Sequence, residues 1–275
     1  MVKILILGTM QDAGIPQLDC LCVNCKRIRI IGKKFVSCIA VIGDRKAVII
    51  DATPDLPSQF NFLKEYLKDK IGINGLLITH LHIGHYIGLP FFGRESANTK
   101  KFPIYLTKEN FEFLQRNKPF SYLFERNELQ QLIFNDGEEI LLDNSTKIKP
   151  FSVPHRNEDG NTVGLEIINR INNKKAIYIS DIDYLSDEVV KQLLSADKVL
   201  LDGTFFTKSE IMRQQDVPHP PISETIDRFG QQTEKKFYFI HLNHSNPLVD
   251  KTSKEYSLIT EMNYQVANEN LIIEF

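Results

Sequence analysis

The sequence lacks any apolar run near the ~18 residues that a membrane span needs, so no span is expected. It lacks an excess of either charge. Lys and Arg number 33 against 35 Asp and Glu, a formal net charge of −2. A general nucleic-acid binder carries a basic surplus, so no nucleic-acid partner is expected, and a small substrate held by a few local charges is. There is no low-complexity linker, no run of like charge and no internal repeat of about 20–50 residues. The opening stretch Met1-Val-Lys-Ile-Leu-Ile-Leu-Gly8 is too short for the apolar region of a secretory signal, and no small-residue cleavage site follows it. It reads as a first strand, and a cytoplasmic location is the expectation. Cysteines number only 4, and three of them crowd between positions 20 and 25, whereas a disulfide framework would spread them.

What is present is an ordinary globular composition, 42% hydrophobic and 25% charged over 275 residues. A chain of this size can bury on the order of 75% of its unfolded surface. One domain over 1–275 is the simplest organisation; the oligomeric state, a homo-oligomer included, stays open. Strands are predicted over 2–7, 34–42, 46–50, 75–79, 104–106, 129–134, 139–142, 147–153, 162–169, 175–180, 198–201, 236–240 and 271–275. Helices are predicted over 57–71 with Gly72 as cap, 86–92, 108–115, 187–194 and 221–229. Segments 93–101 and 119–127 read as loops walling a cleft, with Arg94 a candidate anion contact. Two packed sheets with helices outside fit this mixed pattern.

Chemistry-bearing residues gather at predicted strand ends. Thr79-His80-Leu-His82-Ile-Gly-His85 follows an apolar strand. Residues two apart share one side of an extended chain, so His80 and His82 can converge on one ion. His85 can aim at the same ion or at a neighbour. His155, Asp181 and His241 each follow another predicted strand. Imidazole is the commonest side-chain metal ligand, and several strand mouths can share one cleft. The Cys20-x-Cys22-x-x-Cys25 cluster also reads as metal ligation, a closed structural zinc site needing one further Cys or His. Cys38 lies on an apolar strand and reads as core.

Strand–Thr-His-x-His-x-x-His–Gly-Leu, then a lone His, a lone Asp and a late His, resembles the metallo-β-lactamase superfamily over nearly the whole chain. The resemblance implies an αββα four-layer sandwich (α/β, α+β) and a site for one or two metal ions, Zn, Mn or Fe. It implies that His80, His82 and His155 bind the first ion, His85 and His241 the second, and Asp181 bridges both. One position departs: the family's His-x-His-x-Asp-His has Gly84 where the Asp stands. The expectation is a tighter first site, with a second site that is weak or selects another metal.

The three-Cys spacing resembles that of the phosphonate-pathway cyclic phosphodiesterases, which implies His244 as the fourth ligand of a structural zinc. Asp202-Gly-Thr-Phe205 and His219-Pro-Pro resemble an acidic residue and a downstream His of tRNA-processing and phosphodiesterase members. That implies a catalytic pair in which Asp202 orients His219 and His219 protonates the leaving group. Segments Gly8–Cys25, Asp51-Ala-Thr-Pro-Asp55 and His241-Leu-Asn-His-Ser-Asn-Pro-Leu248 are most similar to the pyrroloquinoline quinone biosynthesis protein B group.

Two activities follow from these resemblances. One is hydrolysis of a small ester or phosphodiester by metal-activated water. The other is iron-dependent oxidation of a peptide-derived precursor, for which His85, His241 and Asp181 would supply the two-His–one-carboxylate set.

Overall fold

The computed structural model describes residues 2–68, 70–156, 158, 160–210, 217–234 and 236–275. Most strands of this chain are apolar along much of their length, as sheets covered on both faces require. The first sheet holds β1 (Lys3–Gly8), β2 (Cys38–Ile42), β3 (Lys46–Ile50), β4 (Gly72–Leu77), β5 (Phe102–Leu106) and β6 (Leu129–Ile133). The second holds β7 (Ile140–Leu141), β8 (Thr146–Ser152), β9 (Val163–Asn169), β10 (Lys175–Ile179), β11 (Lys198–Asp202), β12 (Phe237–Ile240) and β13 (Gln265–Val266). The last strand, β14 (Ile272–Glu274), returns to pair antiparallel with β1, Lys3 opposite Glu274.

Helices lie outside the sheets: α1 (Val23–Ile31), α2 (Leu56–Leu67), α3 (Ile83–Tyr86), α4 (Lys108–Arg116), α5 (Phe120–Glu125), α6 (Asp187–Ser195), α7 (Ile222–Phe229) and α8 (Lys254–Glu261). The two-residue period of a strand sorts the core into layers. Ile4, Ile6, Val41 and Ile50 meet Leu165, Ile167, Tyr178 and Ile240 between the sheets. The alternate residues Leu5, Leu7 and Ile49 face Leu56, Leu63 and Leu114 on α2 and α4. Ile177, Ile179 and Leu201 face Val189 and Leu193 of α6, Ile222 and Ile226 of α7, and Ile259 of α8. Each fully buried Leu or Ile contributes about 1.5–3 kcal/mol. The result is the αββα sandwich. No helix among the described residues is long and apolar enough to cross a membrane.

Strands β3 to β6 run parallel, as do β10 to β13. Ligands in such sheets gather beyond the carboxyl ends of the strands. Asp51 follows β3, His80 follows β4, Asp181 follows β10, Asp202 ends β11 and His241 follows β12.

Several elements differ from the sequence expectation. The helix expected over 57–71 stops at Leu67, because Lys68 turns left-handed (φ 50°), and Gly72 opens β4 instead of capping a helix. The helix expected over 86–92 splits into α3 and a 3-10 turn at Leu89–Phe92, with Pro90 at the start of that turn. The strand expected over 34–42 begins at Cys38; Lys34 and Val36 make only isolated bridges to Ile15 and Met10. Segment 119–127 is not a cleft wall: Phe120 and Leu123 of α5 pack into the outer core of the first sheet. Segment 93–101 borders a separate cavity lined by Phe60, Phe91 and Phe102. Arg94 is exposed.

Candidate metal centre

Four strand ends and one helical turn bring the predicted histidines and Asp181 together. His80, His82, His155 and Asp181 form one group whose ligand atoms all lie within 4.8 Å of one another. His85, His241 and Asp12 form a second group, their ligand atoms likewise within 4.8 Å of one another. Asp181 faces both sets. Its Oδ2 lies 3.9 Å from His80 Nε2 and 3.4 Å from His85 Nε2; its Oδ1 lies 3.8 Å from His155 Nε2 and 3.3 Å from His241 Nε2. His82 is placed by Nδ1, 3.0 Å from His155 Nε2.

A ring of oxygens fixes which nitrogen faces inward. The Thr79 hydroxyl has one proton and donates it to Asp51 (3.0 and 2.9 Å), so its 3.0 Å contact with His80 Nδ1 uses the imidazole N–H. Thr204 repeats the device: its hydroxyl donates to Asp202 (2.6 Å) and takes the N–H of His241 Nδ1 (3.0 Å). His85 Nδ1 donates to Asp51 (2.8 Å), and His155 Nδ1 donates to Asp183 (2.7 Å). Nε2 of each of these four rings is thereby turned toward Asp181. Outer partners of this kind orient metal-binding histidines and raise their basicity. Asp51 (φ 72°) and His241 (φ 63°) both adopt left-handed backbone, rare for non-glycine residues. Backbone bonds hold them there: Asp51 N–H to Leu77 O (2.8 Å), and Leu242 N–H to Thr9 O (2.9 Å).

The electrostatics follow from burial and the carboxylates. Burial holds the pKa of His80 well below the ordinary histidine value and lowers that of His241, while His82 falls to about 4. Burial opposes charge on His85 too, but Asp51 and Asp181 outweigh it and raise its pKa to about 9. Burial alone would push the Asp181 carboxyl up; His241, His80 and His85 facing it hold it well below the usual range.

Buried polar atoms nearly always find a partner. Here Nε2 of His80, His85 and His241, Oδ2 of Asp181 and Oδ1 of Asp12 have no hydrogen-bond partner among the described residues. Each such atom costs about 1–3 kcal/mol. Imidazole nitrogens converging on a shared carboxylate match the donor set of a divalent cation such as zinc or iron. The residues fit that group.

Asp12, on the loop after β1, stands beside the second set and against Gly84, and sequence reading missed it. Gly84 was the available signal, since a missing Cβ marks a close approach by something else. Asp51, Asp183, Thr79 and Thr204 were also missed as orienting groups.

Asp202 and His219 adjoin this centre. His219 Nδ1 lies 2.6 Å from Asp202 Oδ2, both side chains are buried, and His219 Nε2 has no hydrogen-bond partner among the described residues. The His219 ring lies 5.6 Å from that of His155 and 6.1 Å from that of His241. A cavity of about 400 Å³ opens beside it, lined by residues that include Asp183, Tyr184, Pro218 and Thr225.

Cys20, Cys22 and Cys25 gather around His244, with Sγ-to-Nδ1 distances of 3.5, 3.5 and 3.7 Å. Tetrahedral zinc with ordinary Zn–S and Zn–N bonds sets sulfur and nitrogen roughly 3.5 Å apart. The spacing fits a closed zinc site. Backbone N–H groups of Cys22, Cys25 and Gln17 point at the sulfurs of Cys20, Cys22 and Cys25 (3.5, 3.4 and 3.4 Å). The Asn24 amide clamps the carbonyls of His244 and Asn246 (3.0 and 3.1 Å). Cys38 is buried in the core away from this group.

A family model described as "Beta-lactamase superfamily domain" matches residues 46–242. Coenzyme PQQ synthesis protein B of Methylococcus capsulatus is 26% identical over 305 residues, covering 98% of this chain and 98% of that protein. Among solved structures, Zn(2+)-bound PqqB from Methylobacterium extorquens superposes with a TM-score of 0.85 at 20% identity, covering 99% and 100% of the two chains. A diphosphatase from the PhnP family superposes with a TM-score of 0.73 at 22% identity, covering 100% and 97%.

Proposed function

Since this chain belongs to the β-lactamase superfamily, we propose that it is a metal-dependent hydrolase acting on a small phosphodiester or related ester. The observation that carries this reading is the buried Asp202–His219 pair beside the histidine cluster, its outer nitrogen unpartnered among the described residues. His80, His82 and His155 would hold one divalent ion and His85 and His241 a second, with Asp181 between them. Bound there, the ions supply Lewis acidity toward a substrate oxygen and an acidified water as nucleophile. Asp51, Thr79, Asp183 and Thr204 keep the imidazoles in the ligating orientation. Asp202 holds His219 by Nδ1, so that Nε2–H can protonate the departing oxygen.

Burial pulls the His219 pKa down, and the Asp202 charge and hydrogen bond more than reverse it, so the value is raised. His219 therefore keeps its proton above the pH at which an ordinary histidine loses it. With an alkyl leaving group, kcat/KM should fall as pH rises through that raised pKa. In Asp202→Asn burial acts without the opposing charge, and the falling limb should move to lower pH. His219→Ala should cost about 10²- to 10⁴-fold in kcat for an alkyl leaving group. The loss should be far smaller for p-nitrophenolate, which departs without a proton. Superimposable pH profiles for parent and Asp202→Asn would refute the pair's role. The reading as a whole is tested with bis(p-nitrophenyl) phosphate and chain loaded with Zn, Mn or Fe. No turnover with any of them would overturn it.

A second reading has one observation in its favour, the likeness to coenzyme PQQ synthesis protein B along nearly all of both chains. On that reading the centre holds iron and oxidises a peptide-derived precursor, His85, His241 and Asp181 providing the ligands. Retained iron and oxygen uptake with a tyrosine-containing peptide would favour it over hydrolysis.

A further inference from the structure

We infer that Asp12 is the carboxylate ligand of the second ion, supplied from the loop after β1 and accommodated by the glycine at position 84. The inference rests on the proposed metal-dependent reading and assigns a residue outside the matched segment 46–242. Three observations carry it. Asp12 shares a ligand group with His85 and His241, all ligand atoms within 4.8 Å of one another. Its Oδ1 is buried, lies 3.7 Å from His85 Nε2 and has no hydrogen-bond partner among the described residues. A Cβ on residue 84 would stand 2.5 Å from the Asp12 Cα and would also strike the carboxylate oxygen. An aspartate at 84 and the present loop thus exclude one another in space: one carboxylate can serve this place, and here it comes from Asp12.

An ordinary turn aspartate would spend its carboxylate on nearby backbone N–H groups. This turn is closed by the backbone itself, Gly14 N–H to Gln11 O (2.8 Å), with Gly14 at φ +67°. The carboxylate is left free to face His85. The loop is also fixed against the far side of the centre. Gln11 N–H bonds Leu242 O (2.9 Å), next to His241, and the Asn243 amide bonds the Gln11 side chain (2.5 Å). Asp12 is therefore placed by the same backbone that places His241, as a ligand must be if it is to meet an ion with little rearrangement.

The experiment titrates metal-free parent, Asp12→Asn and Gly84→Ala with Co(II). It reads d–d absorption and bound metal after dialysis, and compares the melting of the metal-free chains. Asp12→Asn keeps the shape and removes the charge. It should weaken one cleft ion by at least about tenfold while the other cleft ion and the thiol-site ion bind as in the parent. Gly84→Ala should weaken the same ion, because its methyl displaces the Asp12 loop. Asp12→Asn binding every ion within about twofold of the parent overturns the assignment, as does a parent that takes a single cleft ion. The proposed hydrolysis fails separately, if the fully loaded parent turns over no phosphodiester while the Asp12→Asn metal defect is present.

Discussion

Asp181→Ala should purify without either cleft ion while retaining the metal at the three-cysteine site. On the proposed hydrolytic reading, its activity should fall by at least about 10³-fold, the loss of roughly 4 kcal/mol of metal-derived stabilisation. The reason is positional. Asp181 presents its two oxygens to Nε2 of four histidines at 3.3–3.9 Å, so removing it takes the shared anion from both sets at once. Without it the first set is three imidazoles with no anion and the second keeps only Asp12 beside His85 and His241, and a set short of a carboxylate holds a divalent ion less well. Asp181→Asn, close in volume, should show the same metal loss, which separates charge from packing. Elemental analysis decides the matter beside circular dichroism. A folded Asp181→Asn chain with the parent's metal content would remove Asp181 from the centre.

The second large effect is expected at Cys25. Its side chain is buried, and its sulfur stands 3.7 Å from His244 Nδ1. Cys25→Ser should lose the thiol-site ion. An ion bound a thousandfold above its dissociation constant stabilises a fold by about 4 kcal/mol, so the melting temperature should drop by roughly 10 °C. Chelation of the parent strong enough to strip this site should reproduce the shift. Cys38→Ser, in a core position away from His244, should leave metal content unchanged, whatever it does to melting. An unaltered metal count in Cys25→Ser, with unaltered melting, would mean that the cluster is only packed thiols.

Local chemistry was legible in the sequence, and spatial substitution was not. His80, His82 and His85 occupy one short strand-end segment, so residue type and spacing sufficed to mark them. The three cysteines are equally local. Asp12 lies more than seventy positions before Gly84, and no periodicity links the two. Read along the chain, Gly84 looks like a lost ligand; in space it is the room that Asp12 needs. Asp51 showed itself only as the end of a strand, because its role depends on a left-handed backbone that sets it beneath His85 and Thr79.

Strands were easier than helices for a similar reason. Buried strands announce themselves by continuous apolar character. Helix α1 buries only Cys25 and Ile28 among its nine residues, and its N-cap is Cys22, so its start was read as metal chemistry alone. Helix α8 buries only Ile259, and its Ser253 cap was overlooked. Helix α5 lay inside a segment read as a cleft-side loop, although Phe120 and Leu123 were the clue that it faces a core.

The loop after β1 has one more consequence. It carries Asp12 into the histidine cluster and, a few residues on, the three thiols that grip His244, while His244 itself follows His241 on the far side of the same cluster. Peroxide that converts those sulfurs to sulfenic acid or to a disulfide would loosen both ends of this brace together. A reaction centre built from nitrogen and oxygen donors would then inherit the oxidant sensitivity of its sulfur anchor, and a reductant together with the displaced ion would restore it.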